Sequence, residues 1–217
     1  MTKLSLTPLG DCAISVRVGQ GISVELSERV VAYARTVAVA AIRGVTDVVP
    51  SYGSLAVFYD PLAVSFEDLS AHVETLLADA SGREWEPPPE GRLIRIPVHY
   101  DGEDLEEVAR RTKMNASDVA EVHASREYRV FVVGFVPGFA YLGPLDPRLI
   151  LPRRETPRKR VAPGSVAIAE GQTGVYPSAT PGGWHLIGMT GQIMFDANRE
   201  SPALLRVGDS VRFEIVT

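Results

Sequence analysis

The sequence predicts an α+β protein in two parts, a sheet-and-helix domain over residues 1–86 and a β-rich barrel domain over residues 87–217. Three observations carry that expectation. Hydrophobic periodicity over the first 80 residues reads β-α-β-β-α. Three consecutive prolines in EWEPPPEGR (84–92) fit neither a helix interior nor a central strand and make a stiff spacer. Beyond residue 130 the pattern turns to short strands. Ten of the nineteen glycines and eight of the sixteen prolines lie between Gly134 and Gly191. Short strands with many Gly/Pro corners point to a closed or nearly closed barrel rather than a parallel sheet.

The elements follow in order. CAISVRV (12–18) alternates, with Ile14, Val16 and Val18 on one face, as a half-buried strand does. Residues 24–41 place Leu26, Val30, Tyr33, Val37 and Ala41 at helical spacing, and Gly44 stops that helix. Residues 45–49 and 54–59 read as strands around the turn Pro50-Ser51-Tyr52-Gly53. Ser65 and Asp68 resemble a capping box, and Phe66, Leu69, Val73, Leu76 and Leu77 form the helical face that follows. One more strand would complete a split βαβ, ferredoxin-like domain; residues 83–86 or the 92–98 run could supply it. LIRIPVHY then opens the second domain as a strand. Two short helices follow at 103–112 and 116–125, and VFVV, SVAIA, WHLIG and VRFEIV are the clearest later strands.

Composition removes several functions. The formal net charge of −5 disfavours general nucleic-acid binding. Residues 104–124 imitate a helix-turn-helix, but the would-be recognition helix carries Asp118 and Glu121 and no Lys or Arg to meet phosphates. These helices therefore read as packing Leu105, Val108, Val119 and Val122 against the barrel. No run of 18 apolar residues exists, and MTKLSLTPLGDC lacks a signal-peptide core, so neither membrane span nor export is expected. The single cysteine, Cys12, allows no intrachain disulfide and fits a reducing compartment such as the cytoplasm. His72, His99, His123 and His185 lie at no metal-ligand spacing, so no metal site is expected. None of the three lysines lies in a Gly-rich loop, which excludes a Walker-type nucleotide site.

Three constellations could carry chemistry. In FVVGFVPGFAYLG (131–143), glycines and a proline hold a rigid loop that presents Phe135, Pro137, Phe139 and Tyr141, as the floor of a pocket or as a core corner. In PRRETPRKR (152–160), Pro152 and Pro157 each precede an arginine. With Arg148, residues 148–160 hold six cations against Glu155, a solvated run or a stiffened anion grip. VAPGSVAIAEGQTGVYPSATPGGWHLIG (161–188) offers Ser165, Gln172, Thr173, Tyr176 and His185 on Gly-rich corners, without the Gly-x-Ser-x-Gly elbow of a serine hydrolase. His123 closes a helix and reads as a C-terminal cation or as a ligand contact. No nucleophile or general base can be assigned.

The block GFVPGFAYLGPL, then PRRETPR, then APGSVAIAEGQTGVYPSATPGGWHLIG, then FDANRESPALLRVGDSVRF closely resembles one family. It is known as the B-type subunit of 5-oxoprolinase, allophanate hydrolase subunit 1 or the KipI-like kinase A inhibitor. The resemblance spans almost the whole chain and is densest from His123 to Phe213. It implies a ferredoxin-like N-terminal domain followed by a cyclophilin-like β-barrel. It implies two partners, a KipA-like C-type subunit and an A-type subunit, in a complex that opens the pyroglutamate lactam to glutamate at the expense of ATP. It also allows a KipI-type inhibitor of a sensor histidine kinase, or part of a urea carboxylase-type carboxyltransferase system.

The positions that match the family's motifs are His123, Gly134, Phe135, Pro137, Gly138 and Tyr141 in the first stretch, and Pro152, Arg153, Pro157 and Arg158 in the second. In the third they are Gly164, Ser165, Gln172, Thr173, Gly174, Tyr176, Pro177, Pro181, Gly182, Gly183 and Trp184. The resemblance makes His123, Arg153, Arg158, Ser165, Gln172, Thr173, Tyr176, Gly182, Gly183 and Trp184 candidates for substrate or anion binding. Phe135, Pro137, Phe139 and Tyr141 would shape the pocket. Ala162-Pro163 replaces the family's usual Pro-Ala, Met189 stands where a basic residue is common, and Gly191 where Pro is common.

Overall fold

The computed structural model describes residues 4–82 and 91–216. The chain divides into two compact units, Met1–Glu90 and Gly91–Thr217.

The first unit contains β1 (Ser5–Pro8), β2 (Ala13–Arg17), α1 (Val24–Val39), β3 (Val45–Pro50), β4 (Ser54–Tyr59) and α2 (Phe66–Gly82). Ser23 caps α1, its hydroxyl accepting the Leu26 N–H at 3.1 Å. At α2 the Ser65 hydroxyl accepts the Asp68 N–H at 3.1 Å and donates to the Asp68 carboxylate at 2.8 Å. The helix α1 ends at Val39, ahead of the expected stop, and Ala41 and Gly44 turn the chain through positive φ into β3. Val30, Ala34 and Val37 of α1 and Leu69, Val73 and Leu77 of α2 bury against Ile14, Val16, Leu55 and Val57 of the sheet.

The sheet order is β1-β2-β4-β3, every neighbouring pair antiparallel. The crossover β2-α1-β3 with β4 between its strands is the split βαβ that periodicity suggests. Of the two runs expected to complete the sheet, 92–98 does not do so. Residues 93–98 belong to the other unit, and the 83–86 alternative lies outside the described residues. Instead β1 folds back on β2 as a hairpin, with Pro8 opposite Ile14. Proline is tolerated there because β1 is an edge strand.

The second unit contains β5 (Leu93–Val98), α3 (Leu105–Thr112), α4 (Ala116–Ala124), β6 (Glu127–Val133), β7 (Ala140–Gly143), β8 (Arg158–Val161), β9 (Ser165–Ala169), β10 (Gln172–Val175), β11 (Thr180–Gly182), β12 (His185–Met189) and β13 (Ser210–Ile215). Seven strands form one sheet in the order β12-β9-β10-β7-β6-β13-β5. His99, just past β5, meets Met189 of β12, each N–H donating to the other's carbonyl at 2.9 and 2.8 Å. That bridge brings the two edges together, so the sheet is a nearly closed barrel. Strands β8 and β11 form a separate two-stranded ribbon.

Strand β9 is buried along its whole length. Its Val166 and Ile168 face the main core with Ile96, Val98, Tyr128, Ile187 and Phe213. Its Ala167 and Ala169 face a second core of Phe139, Val161, Tyr176, Trp184 and Leu186. The period of two in a strand thus serves two cores at once. The helix-turn-helix look-alike closes with an Asn115/Asp118 capping box and packs Leu105, Val108 and Val119 into the main core. At the corner before β9, Gly164 has φ +83°, and a Cβ there would strike the Thr190 carbonyl oxygen.

Candidate functional site

The sequence candidates separate into distinct surroundings. His123 and Thr173 lie inside the barrel. The Thr173 hydroxyl donates to the Ala167 carbonyl at 3.0 Å. It therefore accepts from His123 Nε2–H at 2.8 Å, and Nδ1 accepts the Tyr100 hydroxyl at 2.7 Å. The Tyr128 hydroxyl donates to the His123 carbonyl at 2.7 Å, and the imidazole lies 4.6 Å from the Phe213 ring centre. Burial pushes the His123 pKa down to about 3 and the Tyr100 pKa up. His123 is thus neutral. The expectation of a cation at the end of α4 is overturned, because a fully enclosed imidazole loses too much hydration to hold a proton. Tyr100–His123–Thr173–Ala167 is a satisfied strut that ends on a backbone carbonyl.

Phe139, Tyr176 and Trp184 form the second core, with the Phe139 ring 5.2 Å from Tyr176, 5.6 Å from Trp184 and 4.9 Å from the half-buried Tyr141. Gly182 is required by that packing, since a Cβ there would meet the Tyr176 hydroxyl. Burial raises the Tyr176 pKa. Gln172 is buried at the start of β10. Phe135 lies on the Gly134–Gly138 loop, at φ +77° and 61% exposed, its ring edge-on to Phe139 at 5.6 Å, with Pro137 beside it at the surface. A bulky residue in left-handed backbone is uncommon and is held there by the turn.

Arg158 is not free to hold an external anion. Its guanidinium grips Asp104 with two bonds, 2.9 and 2.7 Å, and reaches Glu103 at 3.2 Å. Arg154 joins the same carboxylate at 2.6 Å and Glu107 at 3.1 Å, and the Leu186 N–H donates to Asp104 at 2.7 Å. Burial works to raise the Asp104 pKa. The Arg158 fork, the Leu186 N–H and the charges of Arg158 and Arg154 outweigh it, so the carboxyl titrates below its ordinary range. Asp104 ties α3, β8 and β12 together, a role the sequence alone does not reveal.

Next to this hub lies a recess of 530 Å³ between the end of α3 and the 152–156 loop. Arg110, Arg111, Arg153, Arg154 and Thr156 line it together with the carboxylates of Glu107 and Glu155, four arginines against two acids, with His185 behind them. His185 Nε2–H donates to the Pro152 carbonyl at 2.9 Å, and the Arg154 N–H donates to the Gly183 carbonyl at 2.8 Å. These bonds fix the loop that carries Arg153, whose side chain is 55% exposed and 3.4 Å from Glu170. Ser165 lines a separate hollow of 210 Å³ with Asp101, Glu103 and Arg160. A hollow of 530 Å³ in the first unit, lined by Arg17, Ser23, Glu25 and Arg29, equals the recess in volume but not in cationic excess. Among the described residues, no group of three or more His, Cys, Asp or Glu is placed to hold a metal ion, and no helix is long and apolar enough to cross a membrane.

A small α/β sheet unit followed in the chain by a nearly closed barrel makes this an α+β protein of two units. The family described as carboxyltransferase domain, subdomain C and D, matches residues 4–205. The chain belongs to that family and, within it, to the group of 5-oxoprolinase B-type subunits. It is 38% identical over 224 residues to the B-type subunit of the Bacillus subtilis 5-oxoprolinase, covering 97% of this chain and 92% of that one. It is 37% identical to the protein of the same name from Haemophilus influenzae, covering 97% of each. Among solved structures it resembles TTHA0988, with 41% identity and a TM-score of 0.84 over 94% of this chain. This chain spans 40% of the length of that protein. The Kluyveromyces lactis urea amidolyase shares the fold over 99% of this chain and 15% of its own, with a TM-score of 0.78 at 18% identity.

Proposed function

We propose that this chain is the B-type subunit of a multi-subunit, ATP-dependent 5-oxoprolinase, acting in the cytoplasm with an A-type subunit and a KipA-like C-type subunit to open the pyroglutamate lactam to glutamate. One observation carries the reading: similarity over nearly the full length to curated proteins named as 5-oxoprolinase B-type subunits. ATP belongs to the reaction of the complex, and the barrel is read as cyclophilin-like. Arg153 is the residue that holds an anionic group in the shared site. Its loop is fixed by His185 and Gly183, its guanidinium is exposed, and Arg110 and Arg111 flank the same recess. The test is co-expression with the A-type and C-type partners and an assay of pyroglutamate-dependent ATP hydrolysis. Activity should require this chain; full activity without it refutes the reading. Unchanged kinetics in Arg153→Ala would remove the anion role while leaving the assembly role intact.

A further inference from the structure

We infer that the recess at the end of α3 is a phosphoryl-binding site, which Arg110, Arg111 and Arg153 close around a phosphate group. This rests on the reading of Arg153 as an anion-holding residue and names the class of anion. Three features separate phosphate from carboxylate here.

The first is donor supply. A guanidinium carries five N–H donors. Arg110 makes no ion pair among the described residues. Arg111 reaches only Glu107, at 3.5 Å, and Arg153 only Glu170, at 3.4 Å between two exposed side chains. Most of their donors are therefore open, and they converge from a helix on one side and a loop on the other. A carboxylate offers two oxygens in one plane. A tetrahedral phosphate accepts from all round and suits forks that arrive from different elements.

The second is the wall. Among the described residues lining the recess, Pro152 alone is apolar. Sites for carbon rings are lined mainly by hydrocarbon. This one can hold a charged group but gives a lactam ring nothing to pack against.

The third is preorganisation. Arg154 enters the recess already tied to Asp104 and Glu107. His185 is fully buried, with Nε2–H committed to Pro152 and Nδ1 without a partner. The pair behind the anion is therefore held before the ligand arrives, which lowers the ordering cost of binding. The volume leaves room beside one phosphate for a second phosphoryl group or the polar part of a phosphorylated molecule, whose remainder would lie outside the recess.

The test uses the isolated full chain and titration calorimetry with pyrophosphate, ADP and acetate at constant ionic strength. Pyrophosphate should bind and acetate should not. The double variant Arg110→Ala/Arg153→Ala should weaken pyrophosphate about tenfold or more, as expected for the loss of two charge-assisted contacts. Arg154 stays in place because it supports the fold. Glu170→Gln should strengthen binding, since it releases Arg153 from a competing carboxylate; a misfolded variant could not show a gain. Tighter binding of ADP than of pyrophosphate supports the site with a nucleotide as ligand, and equal binding supports it with a phosphorylated metabolite. Acetate binding as tight as pyrophosphate, or unchanged pyrophosphate affinity in the double variant, overturns the inference. Because the calorimetry uses this chain alone, failure here leaves the assembly reading standing, and loss of assembly activity leaves this one standing.

Discussion

Truncating Asp104 to alanine is the sharpest test of the hub. The carboxylate, 4% exposed, accepts two bonds from Arg158, one from Arg154 and one from the Leu186 N–H. Asp104→Ala leaves a buried backbone donor unpaired and cuts Arg158 back to Glu103 and Arg154 back to Glu107. Removing one partner of a buried ion pair costs about 3–5 kcal/mol. Arg158 and Arg154 retain 20% and 27% exposure, so each can recover some water, and the low end of that range, about 3–4 kcal/mol, is expected. For a unit of this size that lowers the Tm by roughly 10–15 °C. Trp184 emission reports on the barrel unit, and a Trp85→Phe background leaves it as the sole tryptophan. Asp104→Asn, which keeps the acceptor oxygen but not the charge, should lose about half as much. Asp104→Ala/Arg158→Ala should cost less than the sum of the single changes by about 1 kcal/mol or more, because no Arg158 deprived of its buried partner remains. A loss under about 1 kcal/mol for Asp104→Ala, or strict additivity in the double variant, would refute the hub.

The lowered Asp104 pKa has a signed consequence: its stabilisation is complete above the unfolded carboxyl pKa and fades as pH falls through the folded one, so the gap between wild type and Asp104→Asn should narrow in acid denaturation below about pH 4. His123, with a pKa of about 3, should keep an unchanged imidazole NMR shift from pH 8 to about pH 5, and titration near 6.5 would contradict the strut. Below that pH the unfolded state takes a proton that the fold refuses, so stability should fall with acidity there too. Thr173→Val leaves His123 Nε2–H without an acceptor inside the barrel and should cost about 1–3 kcal/mol by urea denaturation. Gly182→Ala drives a methyl group into the Tyr176 hydroxyl and should cost about 1–3 kcal/mol, while Gly182→Ala/Tyr176→Phe should recover part of it.

Much of the chain's order is readable from its residues because the signals are local. The 3.6-residue spacing of Leu69, Val73 and Leu77 and the Ser65–Asp68 pair place α2 without reference to anything distant. What escapes the sequence is long-range or disguised. Asp104 meets Arg158 and Leu186 at separations of 54 and 82 residues, and nothing around Asp104 marks it as more than a helix start. Arg158 reads as part of a loop because Arg-Lys-Arg-Val looks solvated. A strand of a two-stranded ribbon can carry such residues, since one face stays in water. Arg110 and Arg111 belong to the helix-turn-helix look-alike and are passed over with it. Only the fold brings them to Arg153. His123 and Thr173 are conspicuous as polar groups, but no one-dimensional pattern tells an enclosed, satisfied pair from an open one. The four residues Ser5–Pro8 are too short, and too close to a proline, to announce a strand.

That short strand changes how the first unit assembles. A closing strand placed after α2 would have to find β2 across two helices and two strands, a contact spanning most of the unit. Here the same sheet position is filled by a hairpin whose partners, Pro8 and Ile14, are near neighbours in the chain. Closing such a small loop takes little entropy and forms on a microsecond scale, so the slow step is left to the β2-α1-β3 crossover.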